Sequence, residues 1–267
     1  MGCPPIYSES EKTAWVKYVD ALVRRYMGKI KLYEVWNEPD GIWTWKTGPD
    51  AVQYGEFVKT TSIAVKKADS NALVAAGSLY GAYIDYTDTF MQIAAKHMDY
   101  LTYHSYEPDD RRIEEVPRIM KAFIKRYNKN IKLVQGETGT QSKAGGQGAL
   151  RKGGWTPRKQ TKYLLRHFMI DFGEDVEFAS YFSTVDMIEA LNGTTGDKTS
   201  WMDYGYFGVL SADFDDDGRS IGEYKPKPSY YALQTVASVF KEKFYVCEVP
   251  YRFSTEFCDW TFSPNLN

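Results

Sequence analysis

No stretch of the 267 residues stays apolar for the roughly 18 positions that a membrane-spanning helix needs. An excess of one charge is missing too. The 33 Lys and Arg stand against 35 Asp and Glu, a net charge of −2, which excludes the electrostatic footprint of a nucleic-acid binder. Cysteine is scarce: Cys3, Cys247 and Cys258 form no Cys-x-x-Cys pair and have no histidine nearby, so neither a zinc nor a redox motif is indicated. A Cys247–Cys258 bridge would need an oxidising compartment. The first twenty residues carry Glu9, Glu11 and Asp20 around no apolar core, and they do not read as a secretory leader. No short-period repeat occurs. With 43% hydrophobic and 25% charged residues, the composition is that of an ordinary globular domain, not of a disordered or collagen-like chain.

What the sequence has in quantity is aromatic residues, 16% of the total, with 21 Tyr and 7 Trp. Flat aromatic faces suit stacking against sugar rings, and they equally suit a tyrosine-rich core. The chain alternates short β-rich runs with amphipathic helices. Helices are predicted over residues 8–26, 50–68, 87–96, 112–127, 156–171 and 228–240, and strands over 30–36, 72–77, 98–105, 131–137 and 177–185. Ser8 and Glu11 have capping-box spacing, and Thr156-Pro157 combines an N-cap with proline at the first helical position. One leading helix followed by five strand–helix units implies an α/β fold with a parallel sheet under helices. The length suits a (β/α)8 barrel, typically about 250 residues. Residues 1–241 read as the barrel domain. Residues 242–267 change character, with FYVCEVPYRF and CDWTFSP alternating as antiparallel strands do, and read as a β-rich tail or the start of an accessory domain.

The strongest local signal is Trp36-Asn37-Glu38-Pro39 at the carboxyl end of the first predicted strand, where a barrel places its chemistry. Pro39 stops the strand, since it has no N–H to give the ladder. Glu38 therefore sits where the loop opens, and Asn37 beside it can both donate to and accept from a hydroxyl. A second carboxylate, Glu137 in Gly136-Glu137-Thr138-Gly139, ends another predicted strand 99 residues later, after three strand–helix units. The two would face one another across a barrel mouth. Carboxylates about 5–5.5 Å apart are what a retaining glycosidase uses, one as nucleophile and one as acid/base.

This pair, with the YEVWNEPD context around the first member, resembles the clan A glycoside hydrolases, and within them most closely family 39 and its relatives, over about residues 4–240. The resemblance implies a TIM-type (β/α)8 barrel, Glu38 as acid/base on the fourth strand, Glu137 as nucleophile on the seventh, and Asn37 on the sugar 2-hydroxyl. It also implies that His104 or Tyr106, which share a strand face with Thr102 by the period of two, contact the catalytic carboxylates. A hydrogen bond from His104 to Glu137 would favour its ionised form. Trp43 and Trp45 after Glu38, Trp155 after Glu137 and Trp201 after the last strand are the candidate sugar-stacking residues. Glu34 shares the parity of Glu38 and reads as the buried partner of a basic residue, and His97 and His167 read as structural.

If the Glu38 strand is the fourth, the chain holds strands four to eight, and an incomplete barrel is expected with open edges on the Ile30 and Glu177 strands. Strand number, tilt and shear are linked, so five strands do not close. A fragment of a longer gene is the favoured explanation; a barrel completed by a second chain and a remodelled open sheet are the others. Open edges imply self-association or a complementing chain. The leading function is a retaining glycoside hydrolase acting on an oligosaccharide or polysaccharide, with no cofactor, no metal, no nucleic acid and no membrane. The alternative is a non-catalytic carbohydrate-binding or assembly module derived from one. A metal-dependent hydrolase fares poorly, because no His-x-His or clustered ligands occur at the strand ends. Asp213 to Gly218 begins like a calcium loop, but its twelfth position is Tyr224, and a solvated acidic turn is the better reading.

Overall fold

In the computed structural model of the chain the described residues are 3–45, 47–81, 83–146, 148–190, 201–215, 219–241, 244–247 and 261–264. Five strands, β1 (Leu32–Glu34), β2 (Leu73–Leu79), β3 (Tyr100–His104), β4 (Lys132–Thr138) and β5 (Ala179–Tyr181), form one sheet in sequential order. Their connections are helices α2 (Ala51–Ala68), α3 (Ile84–Ala94), α4 (Asp110–Tyr127) and α5 (Pro157–Gly173), with α1 (Glu9–Tyr26) in front. Sequential parallel strands with intervening helices are the repeating unit of a (β/α)8 barrel. The alternation predicts the parallel α/β sheet, and the chain is the five-strand, incomplete form of the barrel that the family resemblance implies. A helix α6 (Pro228–Val239) follows the expected last position.

The helix starts obey their local chemistry. Ser8 Oγ accepts from Glu11 N (3.2 Å) while Glu11 Oε2 accepts from Ser8 N (2.8 Å), a complete capping box. Asp50 Oδ1 caps α2 through Val52 N (3.0 Å) and Gln53 N (2.9 Å). Thr156 Oγ1 caps α5 through Lys159 N, with Pro157 next in line. Two hairpins were not predicted. Strands β6 (Met187–Ala190) and β7 (Trp201–Gly205) pair antiparallel, as do β8 (Leu210–Phe214) and β9 (Ser220–Pro226). Each strand is only four to seven residues long, and β9 is exposed throughout, so no sustained alternation marks them. In the tail β10 (Phe244–Cys247) pairs antiparallel with β11 (Thr261–Pro264). Cys258, and with it the bridge to Cys247, lies outside the described residues.

The chain divides into two compact units. The first comprises Met1–Ser105, Glu115–Glu137 and Val176–Ala179. Its core lies between sheet and helices, where Val35, Val74, Ala76, Leu101, Tyr103 and Leu133 meet Phe57, Val58, Phe90, Met91 and Met120. The second comprises Tyr106–Glu114, Thr138–Asp175 and Ser180–Asn267. It is organised around buried polar groups: Gln160 Nε2 donates to Thr140 O (3.0 Å), and Lys227 Nζ donates to Asp186 Oδ1 (2.6 Å) and Ser142 Oγ (2.8 Å). Burial pushes the Asp186 carboxyl up and the Lys227 ammonium down, the mutual hydrogen bond opposing both shifts.

Candidate active site

The site is assembled in the first unit at the carboxyl ends of β1 to β4. Past β1 the ladder with β2 resumes: Val35 N donates to Ala75 O (3.0 Å) and Glu38 N to Ser78 O (3.0 Å). Between them Trp36 turns toward the helices, edge-on to Trp15 (6.2 Å) and Phe57 (5.8 Å). The chain then reverses at Glu38, whose φ of 47° is uncommon for a residue with a Cβ. Its carbonyl accepts from Gly41 N (2.9 Å) and from the Thr44 hydroxyl, and these bonds hold the left-handed turn. Backbone strain of this kind recurs where a side chain must be aimed.

The facing strand is bent to match. Gly77 and Ser78 of β2 have φ of 114° and 48°, and the register with β3 slips between Ala76 and Leu79. A Cβ at Gly77 would collide with the Thr102 carbonyl, so the bulge requires glycine there. Tyr54 of α2, fully buried, clamps it: its phenol oxygen accepts from Gly77 N (2.7 Å) and donates to Gly77 O (3.3 Å). Thr102 Oγ1 accepts from Ser78 N (2.9 Å) and donates to Glu34 Oε1 (2.7 Å), and the Ser78 hydroxyl donates to the same Glu34 oxygen. Glu34 is therefore not the buried partner of a basic residue. It is exposed, and hydroxyl groups hold it. Its parity was legible; its partners were not, because they lie on strands 44 and 68 residues away.

A second register shift, between Tyr103 and His104, sets His104 opposite Glu137. His104 is 4% exposed, with Nδ1 3.0 Å from Glu38 Oε1. Burial disfavours its charged form, but the hydrogen bond to Glu38 and the charges of Glu137, Glu38 and Glu34 outweigh that, and its pKa lies above the ordinary histidine value. The other Glu38 oxygen, Oε2, accepts from the Trp43 indole N–H (2.5 Å). Trp43 stands edge-on to Tyr80 (4.7 Å, 89°). The loop bearing Tyr80 is tied down by the buried Asp40 carboxylate, which accepts from Tyr80 N (2.9 Å) and Gly81 N (3.0 Å). Burial pushes the Asp40 carboxyl above its usual range, against those two bonds.

One oxygen each of Glu38 and Glu137 and one ring nitrogen of His104 lie within 4.8 Å of one another. Among the described residues this is the one group of histidine and carboxylate donors close enough to hold a cation. Both Glu38 oxygens already have protein partners there, His104 Nδ1 on one and the Trp43 indole N–H on the other. What the arrangement offers directly is two carboxylates and a proton-binding imidazole converging on one point.

The other candidates divide. Asn37 is exposed beside Glu38, and Trp43 is 39% exposed. Trp45 is not a sugar platform: it is wholly buried, edge-on to Tyr54 and Phe57, with its N–H donated to Gln53 Oε1 (3.3 Å). Two residues after Trp43 the loop has already turned inward. Tyr106 and Trp155 belong to the second unit. There Tyr106 meets Phe207 (6.4 Å), while Trp155 donates to Leu150 O (2.6 Å) and packs edge-on to Tyr163 (6.0 Å). The side chain of Trp201 lies outside the described residues, as do Asp216, Asp217 and Gly218 of the calcium-like string. His167 pairs with Asp171 one turn along α5 (3.0 Å), both buried, the structural role expected of it. Asp40, Tyr54 and Ser78 were missed as site residues. Tyr54 carried a faint signal, as a polar-tipped aromatic on the inward stripe of α2.

The family described as Cellulase (glycosyl hydrolase family 5) matches residues 3–167. No curated protein matches the chain. Among solved structures it resembles a family 39 glycoside hydrolase from the gut symbiont Bacteroides cellulosilyticus, with a TM-score of 0.62 and 16% identity over 90% of this chain and 46% of that one. It resembles a monomeric beta-xylosidase from Caulobacter crescentus, with a TM-score of 0.61 and 19% identity over 85% of this chain and 47% of the other. A beta-D-glucuronidase from Dictyoglomus thermophilum follows, with a TM-score of 0.58 and 12% identity over 86% and 36%. The chain spans less than half the length of each of these structures. At such identities the likeness is one of fold. The family 39 resemblance seen in the motifs recurs among these structures, while the family-level match is to family 5 of the same clan.

Proposed function

The chain belongs to the cellulase family of glycosyl hydrolases, family 5, and from that premise we propose that its carboxylate pair cleaves O-glycosidic bonds with retention of anomeric configuration. One observation carries the reading: oxygens of Glu38 and Glu137 lie within 4.8 Å of one another. Double displacement uses carboxyl groups about 5–5.5 Å apart, whereas an inverting enzyme needs about 6.5–9.5 Å to admit water between them. In the first step a Glu137 oxygen attacks the anomeric carbon as Glu38 gives its proton to the departing oxygen, which leaves as an alcohol. In the second, Glu38 takes a proton from water, the hydroxide oxygen bonds to the anomeric carbon, and the Glu137 carboxylate leaves.

His104 fits as the group that orients the Glu38 carboxyl, with its Nδ1 3.0 Å from Oε1. The hydrogen bond to Glu38 and the charges of Glu137, Glu38 and Glu34 raise its pKa above the ordinary histidine value, against the burial that lowers it. Asn37 is exposed next to Glu38, which supports its role as the partner of a substrate hydroxyl. Trp43 gives the Glu38 carboxylate a donor and turns an aromatic surface toward solvent.

The test is a panel of activated aryl glycosides, with the anomer of the first product read by NMR. Retention is expected, and inversion would refute the mechanism. Glu137→Ala should lower turnover by at least about 10⁴-fold, as loss of a nucleophile does. Glu38→Ala should spare formation of the glycosyl–enzyme on a good leaving group, slow its hydrolysis by about 10²–10⁴-fold, and be rescued by azide. A wild-type chain that binds oligosaccharide yet turns over no member of the panel would favour the binding-module alternative.

A further inference from the structure

A cavity of about 480 Å³ lies away from the carboxylates, between the segment before α1, the first turns of α1 and the amino-terminal half of α2. That volume is within the range of small-molecule sites, about 300–1,000 Å³. Its apolar walls are Pro5, Ile6, Trp15, Val52 and Phe57, and Tyr7 adds a second large ring. The rings are held in place: Tyr7 Oη is 3.0 Å from Thr47 Oγ1, and Trp15 Nε1 donates to Thr61 Oγ1 (2.9 Å). Trp15 also packs on Phe57 (5.1 Å). Because the indole N–H is already engaged, what Trp15 presents to the cavity is ring surface.

The polar lining is of mixed kind. Gln53, Glu56 and Thr60 lie on one face of α2 at helical spacing, and Lys12 faces them from α1. An ammonium, a carboxylate, an amide and a hydroxyl supply both donors and acceptors. Lys12 and Glu56 cancel in charge, and each has a neighbour on its own helix, Glu9 (2.8 Å) and Lys59 (3.1 Å) respectively. An anion or a cation would find half of this lining repulsive, and a purely apolar ligand would leave it unused. A neutral ring with an apolar C–H face and a rim of hydroxyl groups satisfies both parts. We propose that this cavity is a second saccharide-binding site, which takes one or two neutral pyranose units of a glycan chain apart from the carboxylate pair.

The choice of a glucan as probe rests on the glycosidase reading. Cellohexaose is titrated into the ¹⁵N-labelled Glu137→Gln chain, with amide and indole signals followed by NMR. Saturable shifts are expected at the Trp15 indole and at the Tyr7, Gln53 and Phe57 amides. Gln53→Ala and Thr60→Val should each weaken that set of shifts by about 5–10-fold in affinity, as the loss of one hydrogen bond does, with the Trp155 indole signal, whose partners do not line the cavity, unmoved as a check on folding. Shifts confined to Glu38, His104 and Trp43, or no shifts at all, overturn the inference. So does saturation by cyclohexanol without any response to cellohexaose. Shifts at the cavity in a protein that hydrolyses no glycoside leave this site standing and remove the catalytic reading, so the two failures are separable.

Discussion

The two faces of the sheet in the first unit are made from the same strands and obey different rules. Toward the helices the residues are Val35, Val74, Ala76, Leu101, Tyr103 and Leu133, all at most 4% exposed and packed on Phe57, Phe90, Met91 and Met120. On the other face stand Glu34, Ser78 and Thr102, joined by hydrogen bonds, and His104, which meets Glu38 with Glu137 close by. The helix-side face tolerates no irregularity, since one slip would turn its apolar row outward. The polar face is where the irregularities collect: the left-handed residues Gly77, Ser78 and Glu38, and the two register shifts. The first face supplies stability without direction, and the second spends some of it on aiming side chains.

The comparison breaks if substitutions on the two faces have interchangeable consequences. Leu101→Ala, on the apolar face, should cost about 2–5 kcal/mol of stability through lost transfer energy and the cavity left behind. Urea unfolding measures it, and any activity of the folded fraction should keep its pH profile. Thr102→Val, one residue along and on the other face, preserves shape and removes the hydroxyl. Glu34 then loses a donor and Ser78 N an acceptor. The expected cost is smaller, about 1–3 kcal/mol. Asp40→Asn keeps one acceptor where two backbone N–H groups now donate to two carboxylate oxygens. About 1–2 kcal/mol should be lost, and the Trp43 indole resonance should broaden or move as Tyr80 loosens. An unmoved Trp43 signal would mean that the Asp40 loop does not support the tryptophan on Glu38.

The apolar face was the more legible. Its period of two and the 3.6 period of the helices are written in consecutive residues, so the six helices and the five strands of the parallel sheet are legible within a few positions. Glu38 and Glu137 were legible because a proline and a glycine pair mark the strand ends that carry them. The supporting groups were not. Ser78 falls just past the end of the predicted 72–77 strand, and the bulge that turns its carbonyl to Glu38 leaves no regular pattern in sequence. Asp40 reads as a turn residue, and its acceptors' partners lie 40 and 41 residues on. Trp45 was misread for the opposite reason: proximity to Glu38 in sequence suggested proximity to substrate, whereas the loop folds it beneath Tyr54 and Phe57. Local chemistry is read from neighbours, and a site is built from residues that are not neighbours.

The smallest expected effect sharpens the comparison most, because it concerns a group that only the polar face could hold. His104 is nearly as buried as Leu101, yet its acidic surroundings favour its charged form. The groups facing it are Glu38, Glu137 and Glu34, all acidic, and burial opposes them. A histidine whose pKa is higher folded than unfolded binds more proton in the native state. Its contribution to stability is therefore complete below the unfolded value of about 6.5 and is lost as pH rises through the folded value. Urea unfolding at a series of pH values from 5 to 9 should show stability falling across that window. In His104→Gln, which keeps a donor toward Glu38 but does not titrate, the fall should flatten while stability at the alkaline end changes less than at the acid end. The same slope in both proteins would mean that His104 is not the group that titrates, and the polar face would then differ from the apolar one in hydrogen bonding alone.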